Sequence, residues 1–440
     1  MNRDIKILII SYSKNNFKNY RYVSKNFQNI IDTEFTLLFD FNKYAIIPHT
    51  KSYDEIMKKF CAIKLCYGFF HQNHENSKNF IILKNNYTAY KFPDNIKMLI
   101  FDDFFDEYIY SVHTLNTEPD IIIPGSVILP DKLKSLHLGK YFDHPIDELP
   151  PHLEYLTLGD EYNQSINMLP KKLKCLRIGN DFNQSVDFLP ESLKILSFGH
   201  SFNKSIDRLP KKLINIKFGH HFNQPVDDLP ESTKYILFGS NFNQPINNLP
   251  ENLISLFLGS DFNQTIDKLP RKMTHLILGN DFDQPIKFLP ESLKYLKLGN
   301  SFNKDLDNLP NSLTYLKIGN NFNKPIDKLP KNIKYLQLGA HFNQPIDNLP
   351  KNIDTLVLGW FFDNSVDNLP ESLTSLNFGY HFNKSIDKIP NSVTELTLGA
   401  YFNKTINKIP KKLKVVYANQ YIPSRILKIF SSSDVVVIGI

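Results

Sequence analysis

Three families of side chains in this 440-residue chain have types and spacing that could do chemistry. The first is a row of aspartates at twenty-residue intervals, including Asp187, Asp207, Asp227, Asp307, Asp327 and Asp347. A carboxylate recurring so regularly could form a calcium ladder. Stacked about 5 Å apart, however, such groups repel one another unless something neutralises them. Lysines at adjoining positions (Lys204, Lys268, Lys328) and hydrogen bonds to turn amides supply that, so capping of turns is the expected role. The second family is His200, His220 and His221, which could hold a transition metal on neighbouring turns of chain or stand as solvated loop histidines, the expected state. The third is an asparagine that follows an aromatic residue in eleven of fourteen successive copies (Asn163, Asn183, Asn203, Asn223 and onward), with Asp143, Asp283 and Asp363 in the others. Its donor and acceptor suit backbone groups in a tight bend and bridges between neighbouring segments, not catalysis. Cys61, Cys66 and Cys175 are too few and scattered for a disulfide framework, and no CxxC pair exists for zinc. No nucleophile motif, phosphate loop or metal-spaced cluster is present in the repeats, so no catalytic residue, cofactor or metal is expected.

The element that positions these rows is a repeat. Proline recurs at 130, 150, 170 and onward to 410, and glycine at 139, 159 and onward to 399. Between prolines the unit reads P-x-x-L-x-x-L-x-L-G-x-x-F-N-x-x-I-x-x-L, as in residues 291–310. The second and third leucines (Leu296 and Leu298) alternate around a short strand, which Pro before it and Gly after it limit to roughly four or five residues. One unit cannot bury its own apolar face. Stacking side by side at roughly 4.8 Å in a parallel sheet does so, giving a curved rod on the order of 70 Å long. Leu293, Leu296, Leu298, Phe302, Leu306 and Leu309 would turn inward, with the phenylalanines forming a spine.

Residues 93–129 read as a diverged first repeat, since Pro93, Ile96, Leu99, Phe101, Phe105, Asp106 and Ile109 sit at the same offsets, followed by an insertion at about 110–129. The regular array covers 130–416, and 417–440 reads as a closing cap, because the end faces of a stacked array meet water. Residues 1–35 have helical spacing of apolar positions and 36–92 read as a spacer and N-terminal cap, with a capping box at Ser52 and Glu55 and an apolar strand at 80–83. The basic excess is confined to the first 92 residues, which carry 14 Lys and Arg against 7 Asp and Glu, while the remainder carries 37 against 38. These basic residues are interleaved with acids and carry no recognition motif, so nucleic acid is not an expected partner. The apolar run at 7–10 is too short for a signal peptide or a membrane span, and no stretch approaches eighteen apolar residues. No membrane partner is therefore expected.

Binding is the function the repeat suggests. Residues between the strand leucines point away from the core and are free to vary. One row includes Tyr235, His275, Tyr295, Tyr315 and Tyr335; the adjoining one includes Leu237, Phe257, Ile277, Lys297 and Lys317. Aromatic anchors with an apolar patch and an adaptable rim mark protein-recognition surfaces. Simple β-propensity is the competing explanation, because Tyr, Phe and Ile suit strands in any case. A second aromatic group, Trp360, Phe361, Tyr380 and Tyr401, lies past the glycines as a lateral contact or as local packing.

The L-x-x-L-x-L core with an inward Asn resembles a leucine-rich repeat, and the string LGAHFNQPI at 338–346 resembles the FNIP repeat, over about residues 130–412. That family occurs in social amoebae and in large DNA viruses that infect them. The resemblance implies a solenoid of 20-residue coils with a parallel β-sheet on one face. Leucine-rich repeats place the Asn three residues after the last strand leucine, whereas here it is five, so the convex side is expected to bend differently. Residues 5–35 resemble an F-box, through Ile10, Ser11 and Tyr12 in its first part and Val23, Ser24, Lys25, Phe27 and Ile30 in its second. The opening Leu-Pro and acidic residue of that family have no counterpart, and Ser13 stands where it has leucine. This resemblance implies a small α-helical N-terminal segment that binds the adaptor subunit of a cullin–RING ubiquitin ligase, with Ile9, Ile10, Tyr12, Val23, Lys25 and Phe27 at the contact. The expectation is a non-enzymatic substrate receptor holding a protein target on the sheet face; its rival is a protein-binding scaffold with no ligase link. A reducing, cytoplasmic location is expected, that of the host if the source is viral.

Overall fold

The computed structural model describes residues 62–65, 81–84, 88–91, 97–101, 106, 108–111, 126–431, 433 and 435–439. The chain divides into two compact units, Met1–Ile63 and Lys64–Ile440, and nearly all described residues belong to the second. The helical and F-box-like readings of 1–35, the capping box at Ser52 and Glu55, and Cys61 and Cys66 lie outside the described residues.

The leucine spacing produces one strand per twenty residues, from Ser135–His137 to Val415–Ala418. Neighbours pair in parallel with a register shift of one repeat, as in Tyr295↔Tyr315, Leu296↔Leu316 and Lys297↔Lys317. The row extends backwards to Met98–Phe101, which pairs in parallel with Ser135–His137. It extends forwards to Val436–Gly439, which pairs with Val415–Ala418. From Ser135–His137 to Glu395–Thr397 the strands are three residues long, shorter than the four or five expected. Hydrogen bonding nevertheless runs beyond them: the Lys294 carbonyl accepts from both Thr314 and Tyr315, and Leu298 N–H donates to the Lys317 carbonyl. The ladder is thus continuous between coils although each chain segment bends away quickly.

The six apolar positions of a coil form the core. Leu293, Leu296, Leu298, Phe302, Leu306 and Leu309 are all buried, and each contributes on the order of 1.5–3 kcal/mol relative to exposure. The phenylalanine spine runs from Phe142 through Tyr162 to Phe402, with successive rings nearly parallel, as at Phe302 and Phe322 (6.2 Å apart, 12°).

The spacing of equivalent groups on successive coils grows with distance from the sheet, where hydrogen-bonded parallel strands lie about 4.8 Å apart. It is 5.2 Å between Phe218 and Phe238, just inside the core, and 6.1 Å between Phe322 and Phe342 on the far side. The coils fan out from sheet to spine, so the array curves with the sheet on its concave side. The glycine row obeys the same crowding. A Cβ on Gly279 would lie 1.6 Å from the carbonyl oxygen of Gly259, and the same holds within a few tenths of an ångström along the row. These glycines serve close approach of one coil to the next, beyond ending a strand.

A second sheet of four strands holds Ile81–Lys84, Thr88–Lys91, Val127–Leu129 and Ile109–Ser111. The first two form an antiparallel hairpin, and Val127–Leu129 lies parallel between Thr88–Lys91 and Ile109–Ser111. The segment read as an insertion thus contributes a strand at its end. At the other terminus the helix α1 (Ser424–Ser431) buries Ile426 and Phe430 and packs near the final strand, Val436–Gly439.

Candidate functional site

The bends hold the asparagine ladder. Asn243 Oδ1 accepts the backbone N–H of Asn263 (2.9 Å) and the side-chain amide of Gln264 (3.1 Å) on the next coil. The same backbone link repeats from Asp143 to Asn403. Only the acceptor is used for it, which explains the three aspartates. At Asp283 and Asp363 the usual Gln on the next coil is replaced by Lys304 (2.6 Å) and Lys384 (3.1 Å), which neutralise the carboxylate. Asp106 of the diverged coil accepts from Asp143 N–H (3.4 Å), so the ladder starts where the backward reading placed its first member.

The aspartate row is also built between coils more than within turns. Asp227, Asp327 and Asp347 each accept from the Asn one repeat and one residue further on, and Lys328 and Lys388 occupy that place opposite Asp307 and Asp367. The expected bonds from aspartate to turn amides occur at Asp387, whose Oδ1 accepts the N–H groups of Asn407 and Lys408 on the next coil, whereas at Asp187 it is the Ser185 hydroxyl that accepts the turn N–H and donates to the carboxylate. Among the described residues no group of three or more His, Cys, Asp or Glu could hold a metal. The rings of His200 and His220 lie 6.2 Å apart, and those of His220 and His221 4.9 Å apart. The Cys175 thiol is buried, and burial pushes its pKa up.

On the concave face the structure brings the ten target-binding candidates together on six successive strands, Tyr235–Leu237 through Tyr335–Gln337. Leu237, Phe257 and Ile277 are adjacent in register and half-buried. Beside them His275 stacks on Tyr295 (5.7 Å), and Tyr295, Tyr315 and Tyr335 form a face-to-face stack at 4.3 Å steps. Burial pushes the Tyr295 hydroxyl up to about 12 and raises those of Tyr315 and Tyr335 as well. Lys297 and Lys317 sit next to each other, and burial, with Lys297 as the second cause, lowers the Lys317 pKa. Together with Gln337, Asn377 and the glycine row they line a groove of about 1230 Å³. The adaptor-binding candidates Ile9, Ile10, Tyr12, Val23, Lys25 and Phe27 lie outside the described residues.

The second aromatic group forms a second surface. Trp360 and Tyr401 are 63% and 55% exposed, and their rings connect through Tyr380 at 5.9 and 4.9 Å. His341, Phe361, His381 and Tyr401 continue the contact over four coils at 5.0–5.2 Å. The rings pack on each other, yet remain open to solvent. Sequence reasoning missed two features. Serines two residues after the proline cap the previous coil, as Ser312 Oγ does to the Leu293 carbonyl (2.7 Å). Lys217 and Arg177, in the same column as Lys297 and Lys317, were also missed, though extending that column towards the N-terminus finds them.

Three-residue parallel strands at a twenty-residue period, with a leucine core and an Oδ1 ladder in the bends, define a leucine-rich-repeat-like β-solenoid. The FNIP repeat description matches in overlapping stretches from 145–181, 182–221 and 222–261 through 362–389 and 382–417. The chain belongs to the FNIP repeat family. Among solved structures it is similar to CroV588, described as a novel circular LRR protein, at 29% identity and a TM-score of 0.59, covering 78% of this chain and 67% of that one. It is also similar to YopM from Yersinia enterocolitica, at 18% identity and a TM-score of 0.45, with 84% of each chain covered. No curated protein matches the sequence. No helix among the described residues is long and apolar enough to cross a membrane.

Proposed function

We propose that the array is a non-enzymatic scaffold that binds a protein partner on its concave sheet. The observation that carries this reading is the in-register grouping of the tyrosine stack with Leu237, Phe257 and Ile277 on consecutive strands. Half-buried aromatic and apolar side chains on a rigid sheet make anchors that lose little conformational freedom on binding. The test is a photo-crosslinking amino acid at Tyr315 in the full chain, compared with one at Asn343 on the bends, in a eukaryotic lysate. The same protein captured at Tyr315 and not at Asn343 supports the reading; equal labelling at both removes it.

The finer form makes the scaffold a substrate receptor of a cullin–RING ubiquitin ligase, acting in the cytoplasm. It rests on the F-box-like residues Ile9, Ile10, Tyr12, Val23, Lys25 and Phe27. Held on the sheet, the target would be placed for ubiquitin transfer by proximity alone. Co-purification of the small adaptor subunit and cullin with the full chain, but not with a version starting at residue 36, is the expected result. Failure with both leaves the scaffold without a ligase link.

A further inference from the structure

The net charge of the array is nearly balanced, but the charge is not evenly distributed. The nine strand segments from 174–178 to 334–338 contain several lysines and an arginine and not one Asp or Glu. The acids lie on the rims instead, at Glu231, Glu251 and Glu291 before the strands and at Asp261 and Asp281 after the glycines. Along the row that alternates with the core leucines the order is Arg177, Ser197, Lys217, then Leu237, Phe257, Ile277, then Lys297 and Lys317. Each of these residues sits beside the next in register. Among the described residues no ion pair involves Lys217, Lys297 or Lys317. All three are half-buried. Cations held partly out of water without a counter-ion are a cost to the folded chain, and a bound anion relieves it.

We infer that this row takes an extended acidic–apolar–acidic peptide segment of a protein partner, with carboxylates at Lys217 and at the Lys297–Lys317 pair and apolar side chains on Leu237, Phe257 and Ile277. Four coil steps separate Lys217 from Lys297, about 19 Å at roughly 4.8 Å per step, which about six extended residues span. The three apolar residues between the two cationic ends decide against nucleic acid. A phosphate backbone carries charge at every step and would leave its middle unpaired over Leu237, Phe257 and Ile277. The peptide matches both ends and the middle, and specificity follows because any uniformly charged or uniformly apolar segment leaves one part unsatisfied.

The inference rests on the scaffold reading and deepens it. Its test uses the purified full chain and a fluorescein-labelled peptide of about seven extended residues, with two aspartates at each end and Leu, Phe and Leu between. Fluorescence anisotropy should show binding that weakens as salt rises. The Lys297→Glu/Lys317→Glu variant should weaken it about tenfold or more, while Lys297→Arg/Lys317→Arg should not. Unchanged thermal unfolding of both variants establishes that the charge, not the fold, was altered. Absence of binding to the unaltered chain, or equal binding by the charge-reversed variant, overturns the inference. So does a single-stranded oligouridine probe that binds as well as the peptide and loses affinity in the same variant. If partner crosslinking at Tyr315 persists while the peptide fails to bind, the scaffold stands and only the acidic-segment inference falls.

Discussion

The guanidinium of Arg425 on α1 closes the asparagine ladder by donating to both Oδ1 and the main-chain carbonyl oxygen of Asn403. Every earlier rung is filled by the backbone N–H of the next coil. After Asn403 no further copy follows, and Arg425 supplies the donor that the missing coil would have given. The helix thus buries its own Ile426 and Phe430 at this end of the array and supplies the donor for the last polar acceptor through Arg425.

Replacing Arg425 by methionine removes the donor while keeping the apolar stem. The group is exposed, so the expected cost is small, about 1 kcal/mol. The effect should be local because repeat arrays fray from their ends. Amide hydrogen exchange should speed up in 403–418 and stay unchanged near 243–263. Uniform acceleration along the array would contradict the end-cap assignment.

Much of this architecture was legible because a twenty-residue period repeats the same physical demand many times. The inward set of Leu293, Leu296, Leu298, Phe302, Leu306 and Leu309 follows from alternation and spacing alone. The asparagine was assigned to backbone satisfaction from its two-sided chemistry, but its direction across coils requires knowing how the coils stack. The aspartate row shows the limit most clearly. Turn capping within one coil and bridging to the next use the same residue types, and only three-dimensional register puts Asn248 opposite Asp227. The pairing of Val127–Leu129 with Thr88–Lys91 was hidden for a different reason. Thr88–Lys91 lies outside the periodic region, where no second copy exists to reveal a pattern.

Glycine 279 should be close to irreplaceable. A Cβ there would sit 1.6 Å from the Gly259 carbonyl oxygen and 2.4 Å from its carbon, and backbone cannot move aside as a flexible side chain does. Gly279→Ala is expected to cost about 3 kcal/mol or more by forcing two coils apart. Gly439→Ala is the control, since nothing lies within 4 Å of its added Cβ. Urea unfolding midpoints of the two variants compare them directly, and equal midpoints would reject the close-packing account.

The ladder predicts an order of tolerance at Asn243. Asn243→Asp keeps the Oδ1 acceptor for Asn263 N–H and for the Gln264 amide, as Asp143 does for Asn163 and Gln164. Asn243→Val leaves that backbone N–H without its partner, at a cost of about 1–3 kcal/mol. The aspartate variant should therefore unfold at higher urea than the valine variant. Exchange of the Asn263 amide should accelerate only in the latter. A valine variant as stable as the wild type would mean that water replaces the bond without penalty.

The last prediction concerns acid stability. His137 sits on the sheet face at the start of the regular array, with Ser135 Oγ 3.3 Å from its Nε2. Burial first, and the charge of Arg177 second, lower its pKa from 6.5 to about 4. Above about pH 6.5 the ring is neutral in both folded and unfolded chains, and it adds no pH dependence. Below that the unfolded chain takes up a proton that the folded one does not, so stability falls with pH until about pH 4, where the folded ring protonates too. The loss is at most about 3 kcal/mol, and less because part of the ring still meets water. Glu154 titrates elsewhere: hydrogen bonds from Lys134 and Lys174 hold its carboxyl below the usual 4.5, so its contribution is lost further down the scale. His137→Gln removes the imidazole and leaves the carboxylates alone. Urea midpoints measured at about pH 7 and about pH 5 should drop more for the wild type than for the variant. Equal drops would mean that His137 is as accessible to protons in the folded chain as in the unfolded one.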